Sequence, residues 1–183
     1  MIYGLSGYAK AGKDTLAAEL VRRDGFIRVS FADALRECMY RLNPIVDAHL
    51  EKGGTVFSRY ADIIDGIGYS KAKLMYPEIR ELLQRLGTEA GREVLGNDIW
   101  VDVALKGLDI NLYNYVVTDV RFDNEYQAIL SNGGINIRIE RPGFGPANQH
   151  CSETALDGYV FDFVLQNDGS IEELYNEFKT CIG

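Results

Sequence analysis

The stretch Gly7-Tyr8-Ala9-Lys10-Ala11-Gly12-Lys13-Asp14-Thr15 decides how the chain is read. Its spacing, G-x-x-x-x-G-K, is that of a loop that wraps phosphate. Glycines let successive backbone N–H groups curl around phosphate oxygens. A helix opening directly after the loop adds partial positive charge at its N-terminus. Lys13 is then placed to reach the β- and γ-phosphates. The flanks suit this reading. Ile2-Tyr3-Gly4-Leu5 reads as a short buried strand. Leu16, Ala17, Leu20 and Val21 mark the apolar face of a helix that stops near Gly25.

One slot departs from the usual pattern. The residue after Lys13 is ordinarily a Ser or Thr whose hydroxyl binds Mg²⁺; here it is Asp14, and Thr15 comes next. A carboxylate can ligate Mg²⁺ directly or through water. It is equally a good residue for a helix start. Asp14 and Thr15 therefore both stand as metal-ligand candidates.

Outward from the loop, strands and helices alternate. Phe26-Ile27-Arg28-Val29 reads as a second strand. Leu35, Cys38, Met39 and Leu42 share a helix face, and Asn43-Pro44 ends that helix. Residues 45–76 carry no clear period; Gly53-Gly54 predicts a turn, with short helices over 60–64 and 71–75. Pro77 suits the first position of a helix bearing Ile79, Leu82, Leu83 and Leu86. Another helix is predicted over 99–108. Tyr115-Val116-Val117-Thr118 is a strand ending at Asp119, and a helix capped by Asp123 follows. Strands are predicted over 135–139 and 161–165, separated by a Gly- and Pro-rich loop over 141–158. Ser170-Ile171-Glu172-Glu173 is a capping box for the last helix. This alternation predicts an α/β fold, a mostly parallel sheet with helices on both faces. Ligands of such sheets sit beyond the carboxyl ends of the strands.

Composition narrows the partners. A chain of 183 residues fits one domain, and its net charge of −8 disfavours polymeric nucleic acid as the main partner. A small anion can still be held by local cations and backbone N–H groups. Cys38, Cys151 and Cys181 are few and lack metal-like spacing, so neither a disulfide framework nor a zinc site is expected. No apolar run approaches the ~20 residues of a membrane span, and no secretory signal is evident. A cytoplasmic protein is the expectation.

Asp119 stands at the end of an apolar strand, where a metal-water or acceptor-positioning acid belongs, and Arg121 follows two residues later. The alternative is a turn-capping Asp beside a solvated Arg. Arg80, Gln84 and Thr88 recur at four-residue spacing. If the helix runs past Leu86 they form one polar line, able to hold a monophosphate and a base edge, or simply a solvated face. Arg36 meets a phosphate or faces water. Trp100, the sole tryptophan, is a base-stacking ring or a core residue.

Several pieces together resemble the phage deoxynucleoside monophosphate kinases. They are Leu5-Ser6-Gly7 with Gly12-Lys13-Asp14-Thr15; Ala32-Asp33-Ala34-Leu35-Arg36; Arg80 with Leu82-Leu83-Gln84 and Leu86-Gly87-Thr88; Trp100-Val101; Asp119-x-Arg121 with Glu125; Arg141-Pro142-Gly143; His150 with Ser152-Glu153; and Asn167-Asp168-Gly169-Ser170. They span nearly the whole chain in order.

The resemblance implies a three-layer nucleoside-monophosphate-kinase-like fold on a five-stranded, mostly parallel sheet. It implies a single domain over 1–183, with an acceptor-binding insertion at about 44–100 and a short lid at about 141–160. It implies ATP, Mg²⁺ and a dNMP as small-molecule ligands, a role in phage DNA precursor supply in the host cytoplasm, and a homodimer as one assembly. By position, Gly7, Ala11, Gly12, Lys13, Asp14, Thr15, Arg141 and Asn167 fall on the ATP side. Arg36, Arg80, Gln84, Thr88, Trp100, Asp119 and Arg121 fall on the acceptor side. Lys13, Asp119 and Arg121 form the expected catalytic set, and Asp14, Thr15 and Asp119 the expected metal set. The acceptor is itself a phosphate, so cations rather than a strong base are required; His150 is read as structural or as a phosphate neighbour. The same loop and Asp-x-Arg also fit a kinase acting on phosphomevalonate or dephospho-coenzyme A, or a nucleotide-binding module with slow ATP hydrolysis.

Overall fold

β1 (Ile2–Ser6) is buried at every position, as a strand covered on both faces must be. The computed structural model describes residues 1–146 and 154–183. Four further strands, β2 (Ile27–Val29), β5 (Tyr115–Val117), β6 (Ile135–Glu140) and β7 (Phe163–Gln166), join β1 in a five-stranded sheet of order β2-β5-β1-β6-β7. Every pairing in it is parallel. The chain leaves β1 toward one edge and leaves β6 toward the other, which makes the carboxyl end of this pair the switch point where ligands of such sheets bind.

The chain divides into two compact units, Met1–Phe31 with Ala104–Gly183, and Ala32–Val103. The first holds the parallel sheet, α1 (Lys13–Asp24), α7 (Asp123–Ser131) and α8 (Ile171–Ile182). Leu16, Ala17 and Leu20 of α1 are buried, while Val21, expected on the same face, is 41% exposed. Tyr3, Phe26 and Phe178 meet at 5.5, 5.6 and 6.3 Å between ring centroids, an aromatic cluster, edge-on at Phe178, that ties α8 to β1. Ser170 and Glu173 form the expected capping box at the start of α8.

In the second unit, most of α2 (Phe31–Leu42) leads into a hairpin of β3 (Ile45–Glu51) and β4 (Gly54–Arg59). Short helices α3 (Tyr60–Ile67) and α4 (Tyr69–Met75) follow, then α5 (Pro77–Arg85) and α6 (Ile99–Leu105). Met39, Val46, Tyr60, Ile63, Ala72, Ile79 and Leu83 make its core. Cys38 and Leu42, expected beside Met39, are exposed. The hairpin was not expected. Only Val46 of β3 is buried and no residue of β4 is, so neither strand carries the alternation that marks a half-buried strand. The turn at Gly53-Gly54 was legible, and both glycines adopt positive φ there.

After α5 the backbone widens into a π-helical stretch, Leu86–Leu95. Buried positions then recur every fourth residue: Ile79, Leu83, Gly87 and Gly91. An α-helix at 3.6 residues per turn drifts away from a four-residue line; the wider turn corrects the drift. The glycines matter here. A Cβ on Gly87 would come within 3.2 Å of Leu35, and one on Gly91 within 2.6 Å of the Trp100 ring. The Trp100 indole N–H donates to the Gly87 carbonyl oxygen at 2.9 Å.

Candidate active site

Residues 7–12 turn between β1 and α1. Gly7 has φ 135° and Gly12 φ 112°, a region side chains disfavour. Space is short at both positions as well: backbone blocks a side chain at Gly7, and one at Gly12 would have to displace the Asn167 amide. A Cβ on Gly7 would collide with the carbonyl oxygen of Ile139 on β6, and one on Gly12 with Asn167 Nδ2. Asn167 fastens the loop from outside: its side-chain amide donates to the Ala11 carbonyl at 2.8 Å, and its backbone N–H to the Glu140 carbonyl at 2.7 Å.

Lys13 begins α1 and is 8% exposed. Its ammonium donates to the carbonyls of Gly7 at 2.6 Å and Tyr8 at 2.8 Å. The Tyr8 carbonyl also accepts from the Ala11 N–H at 3.1 Å. The loop thus closes on its own lysine, with the first turn of α1 adjoining.

A cleft of about 500 Å³ opens on this loop, lined by Lys10, Lys13, Asp14, Thr15, Arg141 and Asn167 among others. Three cations and one carboxylate face one space, which suits a polyanion. Arg141 donates to the Lys10 carbonyl at 3.3 Å and stacks on Phe144 at 4.8 Å. Asp14 and Thr15 are exposed at the start of α1. They offer two adjoining oxygen donors, the hard ligands Mg²⁺ prefers, and Mg²⁺ usually takes few protein ligands beside substrate phosphates. No group of three His, Cys, Asp or Glu able to hold a metal occurs among the described residues.

Asp119 does not line this cleft. Its carboxylate accepts from the Ser30 hydroxyl at 2.7 Å and from the Phe31 N–H at 2.9 Å. It thereby accepts at the start of α2, as a capping residue does. Arg121 is exposed; its backbone N–H, like that of Phe122, donates to the buried carboxylate of Glu125, at 2.7 and 3.1 Å. Glu125 rather than Asp123 serves the start of α7.

In the second unit, Arg80, Gln84 and Thr88 are exposed along one side, each next in sequence to a buried residue of the four-residue line. The polar line is thus continuous through the π-helical stretch. Arg36 pairs with Asp33 at 2.9 Å and lies over the Tyr69 ring at 4.9 Å. Trp100 is 7% exposed and packed on Gly91, so its ring is a core element rather than an open stacking face. Lys10, Tyr8 and Tyr69 were not expected at these places; each is a single residue in a loop or at a helix end, where no period marks it. His150, Cys151 and the rest of 147–153 within the expected lid lie outside the described residues.

The profile of the deoxynucleotide monophosphate kinase family matches residues 71–178. A putative deoxynucleotide monophosphate kinase of Acanthamoeba polyphaga mimivirus is 30% identical over 201 residues, covering 100% of this chain and 96% of that protein. The chain belongs to the deoxynucleotide monophosphate kinase family. The deoxynucleotide monophosphate kinase of Enterobacteria phage T4 is 32% identical over 132 residues, 69% of this chain and 52% of its own length, so that match spans about half of the phage protein. Shikimate kinase from Aquifex aeolicus superposes with a TM-score of 0.45 at 10% identity, over 100% of this chain and 96% of that one. The family match takes in Arg80, Gln84, Thr88, Trp100, Asp119, Arg121, Arg141 and Asn167, and the full-length viral match adds the loop of residues 7–15. No helix among the described residues is long and apolar enough to cross a membrane.

Proposed function

We propose that this chain transfers the γ-phosphoryl group of ATP to a deoxynucleoside 5′-monophosphate, giving ADP and a deoxynucleoside diphosphate. The observation that carries this is the buried Lys13 ammonium inside a loop closed by two glycines of positive φ. The loop N–H groups and Lys13 take the donor phosphates. Arg141 and Asn167 bound the rest of the donor nucleotide. Asp14 and Thr15 would hold the magnesium ion that accompanies ATP, which neutralises phosphate charge when bound. Asp119 serves by fixing the start of α2, the helix that carries Arg36.

Arg36 and Arg80 take the acceptor phosphate, Gln84 and Thr88 its base edge, and Trp100 shapes their unit from within. Arg121 offsets charge as the phosphoryl group moves. An acceptor phosphate oxygen is already ionised near neutral pH, so positioning and charge neutralisation suffice. A cytoplasmic location, the host's if the chain is phage-encoded, suits soluble nucleotide substrates. A coupled ADP-release assay over dAMP, dCMP, dGMP, dTMP and the ribonucleotides tests the reading. Deoxynucleotide-dependent ADP release is expected; an ADP rate indifferent to every monophosphate would remove the kinase assignment.

A further inference from the structure

Tyr8 is the one large side chain in the first half of the phosphate loop. Its hydroxyl donates to Asp157 Oδ2 at 2.9 Å. The other oxygen of that carboxylate accepts from Arg138 Nη2 at 2.8 Å. Arg138 completes a closed figure, because its guanidinium lies 5.1 Å from the centroid of the Tyr8 ring. Arg138 comes from β6 and its side chain is only 12% exposed; it also donates to the Leu156 carbonyl at 3.4 Å and lies 3.6 Å from Glu140. With two carboxylates beside it, Arg138 is matched by protein charge.

The turn that supplies Asp157 is itself anchored. Leu156 is 3% exposed. The Tyr159 hydroxyl donates to Asp123 Oδ1 at 2.8 Å, and its ring meets Tyr126 edge-on at 5.1 Å. Asp157 is therefore a fixed point rather than a drifting surface acid. The figure ends on the catalytic lysine, since the Tyr8 carbonyl accepts the Lys13 ammonium at 2.8 Å. Gly7, Ala9, Ala11 and Gly12 give the loop no comparable side chain by which to be held.

We propose that Tyr8, Arg138 and Asp157 are positioning residues for the donor phosphates, a brace that holds the Tyr8 carbonyl against Lys13 and so sets where the ammonium sits. This rests on reading residues 7–15 as the ATP site. A loop fixed before ATP arrives loses less conformational freedom on binding it. The brace therefore acts on donor affinity and leaves the acceptor untouched.

The test is steady-state kinetics of the full chain, with ATP and the dNMP varied separately, for Tyr8→Phe, Asp157→Ala, their double variant and Lys13→Ala. Tyr8→Phe and Asp157→Ala should each raise the ATP KM, by about tenfold if one charge-assisted hydrogen bond is lost, with the dNMP KM unchanged. The double variant should be no worse than Asp157→Ala, because both changes remove the same bond. Tyr8→Phe deletes one hydroxyl and carries the test should Asp157→Ala not fold. An unchanged ATP KM, additive losses in the double variant, or equal rises in both KM values with a falling Tm would overturn the brace. If those variants are silent while Lys13→Ala is inactive, only the brace fails; if Lys13→Ala stays active, the ATP-site reading fails with it.

Discussion

The Trp100 indole donates to the Gly87 carbonyl at 2.9 Å while its six-membered ring rests on Gly91. One side chain thereby spans a full turn of the π-helical stretch. A methyl group at position 91 has no room, since Trp100 Cζ2 lies 2.6 Å from where it would sit. Gly91→Ala should destabilise the protein by about 2 kcal/mol, the usual cost of overpacking. Trp100 is the only tryptophan, so its fluorescence during urea unfolding reads this unit directly. A midpoint equal to that of the parent protein would show that the helix yields without cost.

Lys13→Ala should lower kcat by about 100-fold or more, as loss of a preorganised charge at a reacting phosphate does. Its ammonium donates to two carbonyls of its own loop, so circular dichroism and Tm should change little. Near-normal turnover would take the loop out of the chemistry.

Asp119 separates two roles that the sequence left open. Because it accepts from Ser30 and Phe31, Asp119→Ala should cost about 1 kcal/mol, the value of a lost cap. Asp119→Asn retains an acceptor oxygen and should recover most of that stability. A metal ligand behaves otherwise: Asp119→Asn would then keep the stability yet need much more Mg²⁺ for half-maximal rate. A Mg²⁺ titration of the Asn variant decides the matter.

Arg80→Ala should raise the dNMP KM by about tenfold, as expected when one charged phosphate contact is removed. Arg85→Ala, on the same helix and paired with Glu89, should leave it within about twofold, like most exposed ion pairs. Equal kinetics for the two variants would place Arg80 on the solvated face.

Burial pushes the Tyr60 hydroxyl up to about 12 from the ordinary 10.0. The folded state keeps this proton at pH values where the unfolded chain releases it. The stability from Tyr60 is therefore complete below pH 10 and declines as pH rises toward 12. Tyr60→Phe should flatten that alkaline decline. Parallel stability-versus-pH curves for the two proteins between pH 9 and about 12 would contradict this assignment.

Local signals carried much of this architecture. The phosphate loop was legible because its glycines, lysine and flanking strand and helix lie within two dozen residues. The start of α8 was legible because Ser170 and Glu173 bond each other three residues apart. The β3–β4 hairpin was not, since its faces lie largely in solvent and leave no alternation. Nor was the π-helical stretch: whether the helix runs past Leu86 stayed open, and only contacts with Leu35 and Trp100 explain Gly87 and Gly91. The partnership of Tyr8 with Asp157 joins residues 149 apart, and no local period can announce such a pair. Trp100 shows the converse. As a lone aromatic it suited a core more often than a base, and its burial bears out the core reading.

The fourfold spacing of Ile79, Leu83, Gly87 and Gly91 also limits how this segment can change by insertion or deletion. Excising one residue between 86 and 95 would restore tighter winding and swing everything downstream by about 100° about the axis. Trp100 would then face a bulky neighbour instead of a glycine. Length polymorphism should accordingly be tolerated far better at the tip of the β3–β4 hairpin, where a Cβ on Gly53 or Gly54 would meet nothing within 4 Å, than along this wide helix.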